Sequence, residues 1–76
     1  MSEAVTVYTV LRTPVTAAAK RSAGYDSREF EFIANSAAEA RQAAISGCEW
    51  RDATSHFVFQ TVASRVLLLT SGSNDL

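Results

Sequence analysis

The sequence predicts a small α+β domain with the element order ββαββ, in which a four-stranded, largely antiparallel sheet carries one helix on one face. Four segments rich in β-branched and aromatic residues predict the strands, at 4–12, 28–34, 55–62 and 65–70. A capped, alanine-rich helical segment separates the second strand from the third. The chain has no internal repeat or linker, and a β-grasp-like mixed sheet is the alternative architecture.

Length and composition limit the chain to one domain. The 76 residues are 47% hydrophobic and 20% charged with a net charge of −1, which is typical of a globular protein. We expect a single domain over 1–76, with an ordered core at 4–70 and a polar tail at 71–76. No apolar run approaches the roughly 18 residues of a membrane span, and no signal peptide precedes the first strand, so we expect a cytoplasmic protein without membrane contact. One cysteine and one histidine exclude an intramolecular disulfide, a cysteine zinc cluster and a multi-histidine site, and we expect no metal or cofactor.

The first strand is predicted over Ala4–Arg12 and has two apolar faces, which indicates cover on both sides. The segment 13–26 after it allows two interpretations. Thr13-Pro14 could cap a short helix over 17–21, or Val15 and Thr16 could extend the first strand and leave 17–24 as a long mobile hairpin tip. We prefer the hairpin tip, because a helix this short is marginal without packing partners.

The strand Arg28–Ala34 alternates, with its aromatic residues inward, and leads directly into the helix. Ser36 and Glu39 form a capping box, in which the serine hydroxyl accepts from the Glu39 N–H and the Glu39 carboxylate accepts from the Ser36 N–H. Gly47 is expected to end the helix in the left-handed conformation. The predicted buried arc of the helix consists of Ala37, Ala40, Ala43, Ala44 and Cys48.

One helix can cover only one face of the sheet. A connector over 48–54 leads to the third strand, and Ala63-Ser64 is short enough to form a hairpin before the fourth. The uncovered face is predicted to carry Tyr8, Val10, Ile33, Val58, Val62 and one of the pairs Leu67/Leu69 or Val66/Leu68. An apolar patch of this size indicates a homodimer or a dedicated protein partner.

Catalytic chemistry is not expected. His56 near Asp52 or Glu49 could suggest hydrolysis, but the chain has no nucleophile elbow and no glycine-rich loop. A lone histidine at a strand start is more often exposed or hydrogen-bonded for structural reasons. Cys48 is expected to behave as a small hydrophobic residue. We therefore predict no catalytic residues and no enzyme.

Cations and aromatic residues supply the candidate binding residues. Trp50 beside Arg51 is a pair enriched at interface hot spots, although Trp50 could instead fold back over the core. Lys20 and Arg21 could form a basic loop for a phosphate backbone or an acidic protein patch. Arg41, at the border of the apolar arc of the helix, could extend to solvent or to a partner carboxylate. The candidate partner-binding residues are Arg12, Lys20, Arg21, Tyr25, Arg28, Arg41, Trp50 and Arg51.

The strand passing into a capped helix at Phe32–Arg41, with the size and element order of Ala4–Thr70, resembles the small anti-CRISPR proteins of phages and mobile elements. The resemblance implies a stoichiometric inhibitor that blocks a CRISPR surveillance complex in the host cytoplasm, without chemistry of its own. The family has no defining signature, so no functional residue is transferred. The leading hypothesis is a non-enzymatic protein-binding module of this type. The alternative is a small nucleic-acid-binding or regulatory protein that uses the loop around Lys20-Arg21.

Overall fold

A computed structural model describes residues 2–70 of the chain. The predicted polar tail at 71–76 lies outside these residues. The elements in chain order are β1 (Ser2–Pro14), α1 (Ala17–Arg21), β2 (Arg28–Ala34), α2 (Ala37–Gly47), α3 (Ala53–His56) and β3 (Phe57–Thr70). β1 lies in the centre of an antiparallel sheet with the order β2-β1-β3. The α+β class is confirmed, but within residues 2–70 the sheet has three strands, and the predicted four strands in ββαββ order are wrong.

The two predicted C-terminal strands form one long strand, β3. The expected hairpin at Ala63-Ser64 is replaced by a β-bulge, where the pairing shifts from Tyr8↔Ala63 to Val7↔Arg65. The Ser64 hydroxyl donates to the carbonyl oxygen of Val7 at 3.0 Å within this bulge. Ala63-Ser64 lacks the glycine or asparagine that a two-residue turn requires, and the 13 residues of β1 offer β3 a partner along its whole length.

The expected hairpin tip is partly helical, so the preferred interpretation of this segment is wrong. β1 continues to Pro14, and Thr16 begins α1 by accepting a hydrogen bond at 3.2 Å from the Ala19 N–H to its side-chain oxygen. Thr16, not Thr13-Pro14, is the cap. Ala19 is fully buried in the core, which gives this five-residue helix the packing partner that an isolated helical turn lacks.

The capping box of α2 is present with one changed partner. The Ser36 hydroxyl accepts from the Glu39 N–H at 3.1 Å, and the Glu39 carboxylate accepts from the Asn35 N–H, not from that of Ser36, at 2.9 Å. The expected left-handed end at Gly47 is wrong, because Cys48 continues from the helix in an extended conformation. Within residues 2–70 the left-handed positions are Gly24, at φ 85°, and Asp52, at φ 55°.

The core lies between α2 and one side of the sheet, which we call the helix side. Cross-strand partners share a side, so Tyr8, Val10 and Arg12 of β1 face α2 together with Phe32 and Phe59. The prediction that Tyr8 and Val10 lie on the uncovered face is therefore wrong. Ala40 and Ala44 are buried as predicted and Cys48 is partly buried, whereas Ala37 and Ala43 are exposed. The buried residues of the core cluster are Val10, Ala19, Ala40, Ala44, Ala53, Phe57 and Phe59.

Replacing Ala40 by leucine is expected to lower the free energy of unfolding by about 1–3 kcal/mol, because a larger side chain must displace α2 from the sheet. Ala40 has no exposed surface. Urea denaturation followed by circular dichroism measures the effect, and Ala38→Leu, at an exposed position of the same helix, is the matched control. Equal midpoints for the two variants would refute this account of the helix–sheet contact.

β1 and β3 extend beyond the rest of the fold. β2 ends at Ala34, opposite Thr6, so Ser2–Val5 and Leu67–Thr70 pair only with each other. We call this two-stranded extension the ribbon. It contributes to an extent of 54 × 21 × 18 Å and a radius of gyration of 15.7 Å, where a compact domain of this length would have about 11 Å.

Candidate functional site

The side of the sheet away from α2, which we call the open face, has no helix over it within residues 2–70. Among its side chains, Ile33, Val58, Val62 and Leu69 are exposed. The prediction that Ile33, Val58 and Val62 share an uncovered face is confirmed, and of the two pairs left open by the sequence, Leu67/Leu69 is the one on that face. The apolar residues of the open face are Val5, Leu11, Ile33, Val58, Val62, Leu67 and Leu69.

An ion pair crosses the open face above the central strand. The Arg65 guanidinium of β3 donates to both carboxylate oxygens of Glu31 in β2, at 2.7 and 3.2 Å. The hydrogen bond and the positive charge of Arg65 lower the pKa of the Glu31 carboxyl. Val7, which lies in β1 between Ile33 and Arg65, is buried at this point. The bidentate pair therefore ties the two outer strands together, and its half-exposed atoms limit its contribution to stability.

The ribbon is apolar on both sides. Leu68 of the ribbon, 73% exposed, and Val66 just before the ribbon, 62% exposed, point to the helix side. Leu67 and Leu69 point to the open face. A two-stranded ribbon is marginally stable on its own in water, so exposed leucines on both of its sides indicate a surface that another molecule covers.

At the other end of the sheet, Trp50 and Tyr25 form an aromatic cluster with Phe57. Tyr25 and Trp50 meet edge to face with ring centroids 5.0 Å apart, and Trp50 contacts Phe57 in the same manner at 5.5 Å. Trp50 also lies 5.3 Å from the His56 ring. Of the two interpretations of Trp50, packing over the core is the one that these contacts support.

Arg12 lies inside this cluster and is only 6% exposed. Its guanidinium carbon lies 5.2 Å from the Tyr25 ring centre and 5.4 Å from those of Phe30 and Phe57. Its Nη2 donates to the carbonyl oxygens of Asp26 at 3.0 Å and Gly24 at 3.4 Å. Arg12 therefore holds the loop after α1 against the sheet, and it is not the exposed loop cation that the sequence suggested.

The other predicted binding residues are exposed but do not form one site. Lys20 and Arg21 lie in the last turn of α1, and Arg51 lies in the turn before α3. Arg28 stacks over the Phe30 ring at 5.2 Å. Arg41 leaves α2 toward β3, where its Nε donates to the Phe59 carbonyl oxygen at 3.3 Å. The structure thus brings four of the predicted binding residues together, Arg12, Tyr25, Arg28 and Trp50. The other four, Lys20, Arg21, Arg41 and Arg51, lie apart from them.

His56 and Cys48 have structural surroundings. The Nδ1 atom of His56 and the Thr16 hydroxyl are hydrogen-bonded at 2.8 Å, which joins α3 to the start of α1. Cys48 is partly buried against the core at the end of α2. In residues 2–70 no three histidine, cysteine or acidic side chains are grouped as metal ligands. No helix in this part of the chain has the length and hydropathy needed to cross a bilayer.

No protein-family model, curated protein or solved structure matches this chain. The open face and the ribbon are therefore assigned a role only from their own residues.

Three features of these surfaces were not predicted from the sequence: the burial of Arg12, the Glu31–Arg65 pair and the ribbon. Alternation along β1 carries a signal for the first, since Arg12 shares a side with Tyr8 and Val10. The ion pair depends on strands that are 34 residues apart in sequence and separated by the central strand. Local patterns hold no information on that register.

Proposed function

We propose that the chain is a non-enzymatic protein-binding module that acts through its open face and ribbon. The observation that carries this proposal is the number of exposed apolar side chains on the open face. Ile33 and Val62 are 60% and 61% exposed near its centre, and Leu69 is exposed at its end. Monomeric proteins rarely leave an apolar surface of this extent open to water.

The surface is large enough for a stable interface. At about 3.3 Å per residue and 4.8 Å between strands, the 13 residues of β1, 7 of β2 and 14 of β3 present roughly 540 Å² in projection. Side chains increase the accessible area above this projection. A standard interface buries about 800 Å² on each partner, so the open face matches one half of such an interface.

We propose a second copy of this chain as the occupant of the open face. A two-fold axis through the face places each copy's surface on the same surface of the other, and both halves are then covered at once. Of the charged side chains on the open face, Glu31 is already paired with Arg65, and Glu3 and Glu29 lie near opposite ends of the face, away from a two-fold axis through its middle. The apolar residues form most of the contact. The Glu31–Arg65 pair lies among them, above the central strand.

A more specific proposal is that this assembly is a phage-encoded inhibitor that binds a CRISPR surveillance complex in the host cytoplasm. Its support is the size of the chain and the resemblance of the strand and capped helix at 32–41. The ββαββ order, which also entered that resemblance, is absent from residues 2–70. The exposed cations Lys20, Arg21 and Arg51 lie away from the open face and are available to an acidic partner.

The test of the open face is the substitution Val62→Lys, measured by sedimentation equilibrium over a range of concentrations. We expect a dimer for the wild type and a dissociation constant at least about a hundredfold higher for the variant, because each copy buries an unpaired ammonium group. Ala63→Lys is the matched control, since Ala63 is exposed on the same strand but pairs with Tyr8 and points to the helix side, outside the open face and the ribbon. A monomeric wild type, or equal weakening by both substitutions, contradicts the proposed interface.

The inhibitor proposal is tested with purified CRISPR surveillance complexes, by measuring their binding to target DNA as the chain is added. Complete inhibition at a fixed stoichiometry, with every component left intact, supports it. Unchanged DNA binding across a panel of complexes contradicts it and leaves the dimer measurement unaffected. Binding of the chain to DNA alone at physiological salt would favour the nucleic-acid alternative instead.

A further inference from the structure

Two arginines lie directly opposite each other on the helix side of β1 and β2. Arg12 pairs with Arg28 in the ladder, and both guanidinium groups stack over the same ring, that of Phe30, at 5.4 and 5.2 Å. Like charges at directly opposed positions of a sheet repel each other. An arrangement of this kind is stabilised when an anion lies between the two cations.

The charge of Arg12 has no counter-ion among residues 2–70. No carboxylate oxygen lies within 4.0 Å of its guanidinium nitrogens. Two backbone carbonyls accept from Nη2, while Nε is buried and has no hydrogen-bond partner. Buried charges in proteins are normally paired or bind an ion. Arg12 therefore has unused capacity for a negatively charged group.

A pocket of about 350 Å³ opens beside the two arginines. Tyr25, Phe30 and Phe32 form aromatic walls, and Ala43 and Ala44 of α2 form an apolar wall. Small-molecule sites have this character, with mostly apolar walls and a few polar groups that fix orientation. A ligand that fits it has one anionic group and a small apolar body.

We propose that this pocket binds a small oxyanion, a carboxylate or a phosphate group, between Arg12 and Arg28. The guanidinium groups supply the charge and the hydrogen-bond donors. Glu49 lines the same pocket and carries the opposite sign. Removal of the Glu49 charge is therefore expected to strengthen binding, whereas removal of the Arg28 charge is expected to weaken it. The pocket is separate from the open face, so a negative result for the proposed dimer would not contradict anion binding, and the reverse is also true.

The experiment uses the fluorescence of Trp50, the only tryptophan, which contacts Tyr25 at the pocket wall. The full chain is titrated with benzoate, with inorganic phosphate and with neutral benzamide at constant ionic strength. Benzoate tests a carboxylate on an apolar body, and phosphate tests the alternative source of the oxyanion. We expect a saturable response to benzoate or phosphate and none to benzamide.

Substitutions of both signs make the test specific. Arg28→Gln is expected to weaken anion binding about tenfold or more, as loss of one charged hydrogen-bonding group does, and Glu49→Gln to strengthen it. Both positions are exposed, and circular dichroism verifies that the variants fold. Arg21→Gln, in α1 outside the pocket, is the control and should bind as the wild type does. The absence of a saturable response to either anion, an equal response to benzamide, or equal weakening in Arg28→Gln and Arg21→Gln overturns the proposal.

Discussion

Replacing Phe57 by alanine will lower the free energy of unfolding by about 3–5 kcal/mol, as removal of a buried phenylalanine does in other cores. A chain of 76 residues has a total stability of about 4–11 kcal/mol, so the substitution removes about a quarter or more of it. Phe57 is 2% exposed and its ring lies 5.7 Å from Tyr25, 5.5 Å from Trp50 and 6.4 Å from Phe59. Its loss would remove the common neighbour of these rings.

Urea denaturation monitored by far-ultraviolet circular dichroism measures this effect. Phe57→Leu preserves most of the volume and should cost less than about 1.5 kcal/mol. Thr54→Ala, at an exposed position in α3, should leave the midpoint nearly unchanged. If Phe57→Ala unfolds at the same urea concentration as Thr54→Ala, Phe57 is not the centre of the core.

The second large effect is expected for Trp50→Ala, with a loss of about 2–3 kcal/mol. Each aromatic contact of Trp50 contributes about 0.5–1.5 kcal/mol beyond the burial of its area, and Trp50 has three such neighbours in Tyr25, His56 and Phe57. This loss distinguishes a tryptophan that packs over the core from one held exposed for a partner.

Thermal and urea unfolding of Trp50→Ala are to be compared with those of Arg51→Ala, the adjacent exposed position. The arginine variant should lie within about 0.5 kcal/mol of the wild type. A Trp50→Ala variant as stable as Arg51→Ala would show that the ring contributes little to the fold, and its role would then lie in binding.

The elements with strong local signals were predictable from the sequence. β2 has the predicted bounds, Arg28–Ala34, and α2 follows the predicted cap at Ser36. Both depend on neighbours within a few residues: alternation in the strand, and a serine with a glutamate three positions later in the helix. Patterns of this kind lie within one continuous stretch of the sequence and can be identified without knowledge of the fold.

The missed elements depend on contacts between distant segments. α1 is stabilised by the burial of Ala19 and by the link from Thr16 to His56, 40 residues away. β3 is continuous because β1 is long enough to pair with all of it, and Ala63-Ser64 lacks the residues of a tight turn that would interrupt it. Tertiary pairing overrides local preference at these positions.

The candidate site was only partly predictable, because it also depends on contacts between distant segments. Alternation puts Val58 with Val62 and Leu67 with Leu69, but only the bulge at Ser64 brings these two pairs to the same face. For Arg12, alternation indicates only the side that it shares with Tyr8 and Val10, because an arginine on that side can reach solvent in an edge strand or be buried in a central one. Only the central position of β1 in the sheet decides between them.

The bulge at Ser64 has a consequence for the direction in which the ribbon extends. A bulge adds one residue to one strand, bends it and increases its twist. Ala63 and Arg65 would pair with Tyr8 and Val7 in the same order if Ser64 were absent, so the side chains would keep their sides of the sheet. Deletion of Ser64 would therefore remove the bend and change the direction in which the ribbon extends from the sheet, while the leucines of the ribbon stay on the same sides.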